Sequence, residues 1–265
     1  MSEDALSISL PSSLRVEARD DVAVLWLARP EKRNAINDAT VLGIEAFFLN
    51  LPDGVNAVVL AAEGEHFCAG LDLAELSERS TVEGVQHSMM WHRAFERVEF
   101  GRVPVVSVLQ GAVVGGGLEL ACATHIRVAE PSAFYALPEG QRGLFVGGGA
   151  SVRVPRLIGA ARMADMMLTG RLYTAEEGQA AGLSHYLVGP GEGLDRALQL
   201  ARRIAANAPI TNFAVLHALP RIAEANPREG FLLESLMAAV AQGSDDAKQR
   251  LRAFLDGRAK KVTEF

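Results

Sequence analysis

Cysteine is scarce in this chain, whose 265 residues include only Cys68 and Cys122. Two isolated thiols argue against a disulfide framework and a zinc site, and they are typical of a reducing compartment. The chain also lacks any run of about 18 apolar residues free of charge or glycine, and residues 1–13 contain no basic, apolar leader. We therefore expect no membrane span and no secretory signal, and the sequence predicts a cytoplasmic protein.

Positive charge is also in deficit, with 26 Lys and Arg against 32 Asp and Glu and a net charge of -6. A negative field argues against nucleic acid as the main partner, although a local basic pocket for a phosphorylated ligand stays open. Hydrophobic residues at 49% and charged residues at 22% place the chain among ordinary globular proteins. The chain is long enough to form one large domain or two modest ones with a sufficient hydrophobic core.

Several common catalytic signatures are absent. The six histidines show no metal-site spacing, so no metal is predicted. The sixth position counted from Gly115 or Gly147 is not glycine, which disfavours a nucleotide-dependent oxidoreductase. Ser107 and Ser151 lack a nucleophile-elbow context, so a Ser-His-Asp hydrolase is unsupported.

Strand and helix patterns alternate along most of the chain. Short apolar runs predict strands at 22–27, 55–61, 105–109, 126–129 and 133–137. Helical spacing and start signals predict helices at 38–50 (with Asp38 as N-cap), 83–100, 117–123 and, behind a Thr174–Glu177 capping box, 175–181. From about residue 194 the pattern is almost wholly helical, so we predict an α/β core with a helical appendage and place the boundary between 1–205 and 206–265.

Two glycine-rich stretches, Gly115–Gly117 and Gly147–Gly149, follow predicted strands, and each opens a predicted helix. A helix start presents unpaired N–H groups, and glycine lets a ligand oxygen approach them closely. If the two turns converge, they would form an oxyanion hole for a carbonyl that gains negative charge during reaction. The alternative is that these glycines only mark tight packing between strands and helices.

Two glutamates are candidates for acid–base chemistry. Glu119 stands in a run otherwise free of charge, so it belongs either to an exposed helix stripe or to a buried site with a partner. Glu139 follows Pro138 in a turn where a glutamate is ordinarily just solvated. Spacing alone does not bring the two carboxylates together.

The remaining candidates have equally ordinary explanations. Arg29, Lys32 and Arg33 form either a solvated loop or a phosphate site at the end of a strand. Trp91, Phe95 and Phe145 fit a core better than an acyl pocket.

Taken together, the motifs resemble the enoyl-CoA hydratase/isomerase, or crotonase, superfamily over nearly the whole chain. The four stretches that carry the resemblance, in order and at the family's spacing, are 29–35 (RPEKRNA), 66–73 (HFCAGLDL), 111–120 (GAVVGGGLEL) and 136–139 (ALPE). Supporting matches lie at 168–170 and 180–183.

The resemblance implies a spiral of ββα turns in residues 1–205, which carries the coenzyme A site and the active site. It implies that residues 206–265 form a helical region for trimerisation and coenzyme A capping, in a homotrimer or homohexamer. Acyl-CoA thioesters are the implied substrates, and no separate cofactor is required because coenzyme A is part of the substrate.

The resemblance also assigns roles to individual positions. The amides of Leu71 and Gly116 match the oxyanion-hole positions, and Glu119 and Glu139 match the two acidic positions. The implied coenzyme A contacts are Lys32, Arg33, Ala35, Ala69, Asp72, Leu73 and Phe254. Many relatives place a lysine where this chain has Gly257, which puts a phosphate contact from the carboxy-terminal tail in doubt.

Glutamate at both acidic positions is the pattern of hydratases, so we predict a lyase of fatty acid metabolism that hydrates a short or modified enoyl-CoA. Which glutamate is the acid and which the base stays open. The run 135–143 resembles a subgroup that includes methylthioacryloyl-CoA hydratases. The alternatives are enoyl-CoA isomerisation, acyl-CoA thioester hydrolysis, or acyl-CoA binding without catalysis.

Overall fold

A computed structural model describes residues 9–72, 74 and 78–258, and the structural statements below concern these residues. Leu73, one of the predicted coenzyme A contacts, lies outside them. The chain divides into two compact units, Met1–Ala205 and Ala206–Phe265.

The first unit is built around a six-stranded sheet with strand order β1-β2-β3-β4-β6-β9. Its first two strands pair antiparallel, and all the others pair parallel. The strands are β1 (Leu14–Arg19), β2 (Val22–Leu27), β3 (Ala57–Ala62), β4 (Val105–Leu109), β6 (Ile126–Ala129) and β9 (Tyr186–Leu187).

A second sheet of three short strands has the order β5 (Ala112–Val114), β7 (Phe134–Ala136) and β8 (Tyr173–Thr174). The chain passes from β4 of the large sheet to β5 of the small one and then into a helix. The helices of this unit are α1 (Asp38–Leu49), α2 (Thr81–Glu99), α3 (Gly116–Ala123), α4 (Ala150–Ile158), α5 (Ala160–Thr169), α6 (Ala175–Ala181) and α7 (Gly193–Ala205). Short 3-10 helices span Pro30–Lys32 and Pro138–Arg142.

The central strands are buried on both faces, which explains their continuous apolar sequence. Alternate residues of β2 point to opposite sides, so Leu25 joins one apolar cluster with Phe47 of α1 and Phe95 of α2. Val24 joins a second cluster with Ala201 of α7. The strands at 22–27, 105–109 and 126–129 have the predicted bounds, and those predicted at 55–61 and 133–137 lie at Ala57–Ala62 and Phe134–Ala136.

The helix starts partly correct the sequence prediction. Asp38 is not the N-cap of α1, because the side chain of Asn37 accepts the N–H of Thr40 at 2.9 Å. Helix α2 begins two residues earlier than predicted, at a capping box between Ser80 and Glu83. The predicted capping box ahead of α6 is present.

Several elements were not predicted, namely β1, β5, β8, β9 and α5, whereas the helix predicted to open at Gly147–Gly149 is α4. The predicted turn at Pro138–Gly140 is instead the start of the 3-10 helix Pro138–Arg142, and Gly143, which follows it, has φ +70°.

The second unit is helical throughout its described part. It contains α8 (Pro209–Phe213), a π-helical segment (Ala214–Ala218), α9 (Leu219–Glu224), α10 (Pro227–Gly243) and α11 (Asp245–Leu255). Within residues 9–258, apart from the positions not described, no helix has the length and apolar character needed to cross a membrane.

Candidate active site

A cavity of about 330 Å³ opens in the first unit. Its walls come from the 69–71 loop, α2, the start of α3, the 138–142 helix and the turn before α4. It brings together all four residues predicted for catalysis, Leu71, Gly116, Glu119 and Glu139.

The Leu71 amide is directed by the backbone on either side of it. Ile36 N–H donates to Gly70 O and Asp72 N–H donates to Ile36 O, both at 2.8 Å, so the residues flanking Leu71 are tied to the 33–36 segment. In such a parallel bridge the N–H of the central residue faces away from the partner strand. Among the described residues no acceptor is found for the Leu71 N–H, and Leu71 lines the cavity.

The Gly116 amide lies at the first residue of α3, where a backbone N–H has no partner within the helix. A Cβ added at Gly116 would lie 3.6 Å from Leu71 N and 2.8 Å from the Trp91 ring, so the two amides are neighbours and only glycine fits there. Gly115, just before the helix, has φ +53°, a conformation that favours glycine. The two N–H groups thus form a pair of donors at one wall of the cavity.

Glu119 is buried, so it does not belong to an exposed stripe. Its Oε1 accepts the N–H of Gly148 at 2.8 Å and of Ala150 at 3.1 Å. Burial raises the pKa of Glu119 above its ordinary value, and these two amides and the charges of Arg153 and His92 oppose that rise. Its second oxygen, Oε2, accepts no hydrogen bond from the described residues, and the side chain lines the cavity.

Glu139 lies in the first turn of the 138–142 helix and is half-buried rather than fully solvated. Burial raises its pKa to about 7, and the neighbouring Glu119 carboxylate adds to this rise. Its Oε2 is buried and has no hydrogen-bond partner among the described residues. The two carboxyl groups therefore face the same cavity and interact electrostatically.

The Gly147–Gly149 turn does not supply the oxyanion hole together with Gly115–Gly117, which corrects one sequence hypothesis. Its amide at Gly148 is used to bind Glu119. A Cβ added at Gly148 would lie 2.6 Å from Glu119 Oε2, so the turn approaches the carboxylate as closely as glycine allows.

Among the predicted coenzyme A contacts that the structure describes in the first unit, Ala69 alone lines the cavity. The Asp72 carboxylate is buried, accepts the Ala74 N–H at 3.1 Å and pairs with Arg29 at 2.9 Å. The Ala74 amide, and next the Arg29 guanidinium, lower the pKa of Asp72. Asp72 therefore holds the 69–72 loop to the strand-end segment, and its side chain is occupied by protein partners.

Ala35, Lys32 and Arg33 are described in the first unit but do not line the cavity. Ala35 uses its carbonyl to accept Arg29 Nη1 at 3.0 Å. The side chains of Lys32 and Arg33 are exposed. Phe254 is on α11 in the second unit and is 68% exposed.

Sequence reasoning missed much of the cavity wall. Trp91 and Phe145 line it, whereas Phe95 is a core residue packed edge-on against Trp91. The helical spacing of α2 could have placed His87, Ser88 and Trp91 on one face. The wall also includes Arg79, Gly84, Arg142 and Leu144, none of which was predicted.

Within the described part of the chain, no cluster of three or more His, Cys, Asp or Glu side chains could hold a metal ion. Burial raises the pKa of the Cys68 thiol to about 12, which keeps it protonated and unreactive.

Comparison with known proteins defines the class. A sequence profile of the family described as "Enoyl-CoA hydratase/isomerase" matches residues 17–264. "Enoyl-CoA hydratase EchA19" of Mycobacterium tuberculosis is 32% identical over 251 residues, covering 92% of this chain and 94% of that protein. "Short-chain-enoyl-CoA hydratase" of Clostridium acetobutylicum is 29% identical, covering 92% of this chain and 94% of that protein.

Solved structures agree with this assignment. The structure of a Rhodopseudomonas palustris protein, described provisionally as an enoyl-CoA hydratase, superimposes with a TM-score of 0.92. It is 59% identical to this chain and covers 95% of it and 98% of the other chain. The chain belongs to the enoyl-CoA hydratase/isomerase family, and the predicted α/β crotonase fold is confirmed.

Proposed function

We propose that this protein is an enoyl-CoA hydratase that adds water across the α,β double bond of a short or modified enoyl-CoA. One observation carries the proposal: two carboxyl groups with raised pKa values share a cavity with two backbone amides that have no acceptor among the described residues. The names of the relatives support the same reaction.

The thioester oxygen accepts hydrogen bonds from the N–H groups of Leu71 and Gly116. This polarises the carbonyl, makes the β-carbon electrophilic and stabilises the negative charge that collects on oxygen. One such donor contributes about 10²–10³-fold in rate.

The two carboxyl groups share the proton work. Glu119, whose Oε1 is held by two amides, keeps Oε2 for a water molecule and accepts its proton as that water attacks the β-carbon. Glu139, with a pKa raised to about 7, can be protonated near neutral pH and delivers a proton to the α-carbon. Because the groups interact, they titrate as a coupled pair, and the roles reverse in dehydration.

This chemistry uses only the acyl-CoA substrate and water, so no separate cofactor or metal takes part. The proposal of a short or modified acyl group is supported by the name of one relative, "Short-chain-enoyl-CoA hydratase", and Trp91 and Phe145 line the cavity that would hold this group. The 135–143 run makes methylthioacryloyl-CoA one member of the substrate panel. Coenzyme A contacts from Lys32, Arg33 and Phe254 remain part of the proposal.

Replacing either glutamate by glutamine tests the reaction. Glu119→Gln and Glu139→Gln each remove a proton-transfer group while keeping the size of the side chain, so we expect hydration to fall by about 10²–10⁴-fold. Water addition is followed as loss of the enoyl thioester absorbance, and coenzyme A affinity is measured in parallel and should stay unchanged.

The exposed Glu176→Gln variant is the matched control. Product analysis over the enoyl-CoA panel separates the rival chemistries, because hydration gives a 3-hydroxyacyl thioester, hydrolysis frees the thiol and isomerisation only moves the double bond. Near-full activity in either cavity variant, or binding without turnover in the native protein, would refute the proposal.

A further inference from the structure

Arg153 of α4 lies behind the catalytic cavity rather than in its wall, and its side chain is 8% exposed. Its Nε lies 2.7 Å from Glu99 Oε2, at the end of α2. Its Nη1 donates to the carbonyl of Gly148 at 3.0 Å. The guanidinium therefore joins α2 to the turn that precedes α4.

The same turn holds the Glu119 carboxylate. Gly148 uses its carbonyl to bind Arg153 and its N–H to bind Glu119 Oε1 at 2.8 Å. Ala150, two residues further on at the start of α4, gives the second N–H to that oxygen. A change in the contact between Arg153 and Gly148 would therefore shift the backbone at 148–150 and, with it, the two N–H groups that hold the Glu119 carboxylate.

The glycine at position 149 is consistent with the close contact between the Arg153 guanidinium and the Gly147–Gly149 turn. Its φ is +107°, and a Cβ there would lie 2.2 Å from Arg153 Nη1. Glycine is favoured by the backbone conformation, and a side chain there would displace the guanidinium from its present position. Ser88 fixes the other end of the turn, since its hydroxyl donates to Gly147 O at 2.6 Å.

We propose that Arg153 is a positioning residue for Glu119: it holds the Gly147–Gly149 turn so that the amides of Gly148 and Ala150 both meet Oε1. Measuring this role through turnover rests on the proposed function. If Arg153 only linked α4 to α2 through Glu99, it would need no hydrogen bond to the Gly148 carbonyl. That hydrogen bond is what connects Arg153 to Glu119.

The sign of the effect follows from the groups around Glu119. Burial raises the pKa of Glu119, and the amides of Ala150 and Gly148 and then the charges of Arg153 and His92 lower it. Removing Arg153 raises it further, so the base is ionised only at higher pH. Arg153 on α4 and His92 on α2 carry charges that act on this carboxylate, and Cys122 on α3 and Glu139 on the 138–142 helix interact with it electrostatically. Arg153 is itself paired with Glu99 at the end of α2, and Glu139 lies near the charge of Arg142.

The first variant is Arg153→Met, which removes the charge and both hydrogen bonds. We expect kcat to fall about 10²-fold with KM little changed, because the base is displaced while the thioester site is intact. The acidic limb of the kcat/KM profile should move up by on the order of one pH unit. Arg153→Lys should restore part of kcat and return the limb towards its native position.

Two further variants separate positioning from simple stabilisation. Arg156→Met, on the exposed side of the same helix, should leave kcat and the limb unchanged. Glu99→Gln keeps an oxygen acceptor for Arg153 but removes the balancing negative charge, so the limb should stay in place or move to lower pH. The proposal is overturned if the acidic limb of the kcat/KM profile does not move in Arg153→Met. It is also overturned if that limb moves to higher pH in both Arg153→Met and Glu99→Gln.

The titration of Glu119 can also be followed without turnover, by carboxyl ¹³C NMR assigned with Glu119→Gln. If the native protein hydrates no thioester while Arg153→Met raises the Glu119 titration, the proposed function fails and the positioning role stands. If hydration occurs and the Glu119 titration is unmoved, only the positioning role fails. Thermal unfolding reports whether each variant is folded. If Arg153→Met is not folded, the same measurements on Arg153→Lys and Glu99→Gln test the proposal.

Discussion

At the scale of single residues, two glutamates with similar surroundings are held in different ways. Glu119 has two amide donors on one oxygen, which partly offset the cost of its burial. Glu139 has a buried oxygen without a partner among the described residues. A carboxyl group without such donors is the easier of the two to keep protonated, which suits it to deliver a proton.

This arrangement predicts a cost in stability that depends on pH. The folded-state pKa of Glu139 is about 7, above its ordinary value, so folding favours the protonated form. As pH rises from about 5 through 7, the carboxyl must ionise in a poorly solvated place and the folded state is weakened relative to the unfolded chain. Glu139→Gln stays neutral, so its Tm should exceed that of the native protein increasingly towards pH 8.

Thermal unfolding by circular dichroism at pH 5, 6, 7 and 8 measures this difference. The two proteins should have similar Tm values at pH 5, and the exposed Glu176→Gln variant should follow the native protein throughout. A constant Tm difference across the four pH values would contradict the assignment of a raised pKa to Glu139.

At the scale of elements, the site depends on how closely backbone segments approach each other. Gly117 shows this at the start of α3, where an added Cβ would lie 2.4 Å from Cys68 O. The close fit brings the first amide of the helix beside the 69–72 loop. Packing between a helix start and a loop thus sets the spacing of the two donor amides.

Gly148 gives a test at this scale, because its φ does not require glycine but its surroundings do. In Gly148→Ala the added Cβ would meet Glu119 Oε2 at 2.6 Å and the Trp91 ring at 3.0 Å. We expect kcat to fall by about 10²-fold, since the carboxylate must shift from its position. Steady-state kinetics and Tm of this variant are compared with Gly243→Ala, whose added Cβ meets nothing within 4 Å.

Elements buried on both faces could be predicted from the sequence because their apolar runs are unbroken, as in β2 and β4. Strand β1 was missed since it is an edge strand, half-exposed, with charges interrupting its pattern. Strands β8 and β9 have two residues each, too few for a periodic signal.

The candidate site also had a part that the sequence predicts and a part that only the tertiary structure shows. The residue types of Glu119 and Glu139 and their family positions were available from the sequence. The donors that hold Glu119 were not, because they come from a turn about thirty residues downstream that only the tertiary fold brings back. Arg153 was overlooked for the same reason, since its partner Glu99 is 54 residues away.

At the scale of the whole molecule, the predicted homotrimer or homohexamer stays a prediction, and the second unit offers a way to test it. In α10, a helix of 17 residues, only Gly230 is buried in the single chain. Large apolar side chains along it are 41–69% exposed, namely Phe231, Leu232, Leu233, Leu236 and Val240. An apolar surface of this kind is typical of a contact between protein chains.

Leu232 and Leu236 are one helical turn apart, so they lie on the same face of α10. Replacing both by glutamate places two charges in any interface there, where burying an unpaired charge costs several kcal/mol. Analytical ultracentrifugation should therefore find an oligomer for the native protein and the mass of one chain for Leu232→Glu/Leu236→Glu, with helical circular dichroism retained. Gln242→Glu, which adds charge at a polar position of the same helix, should leave the mass unchanged, and a native protein that sediments as a single chain would contradict the prediction.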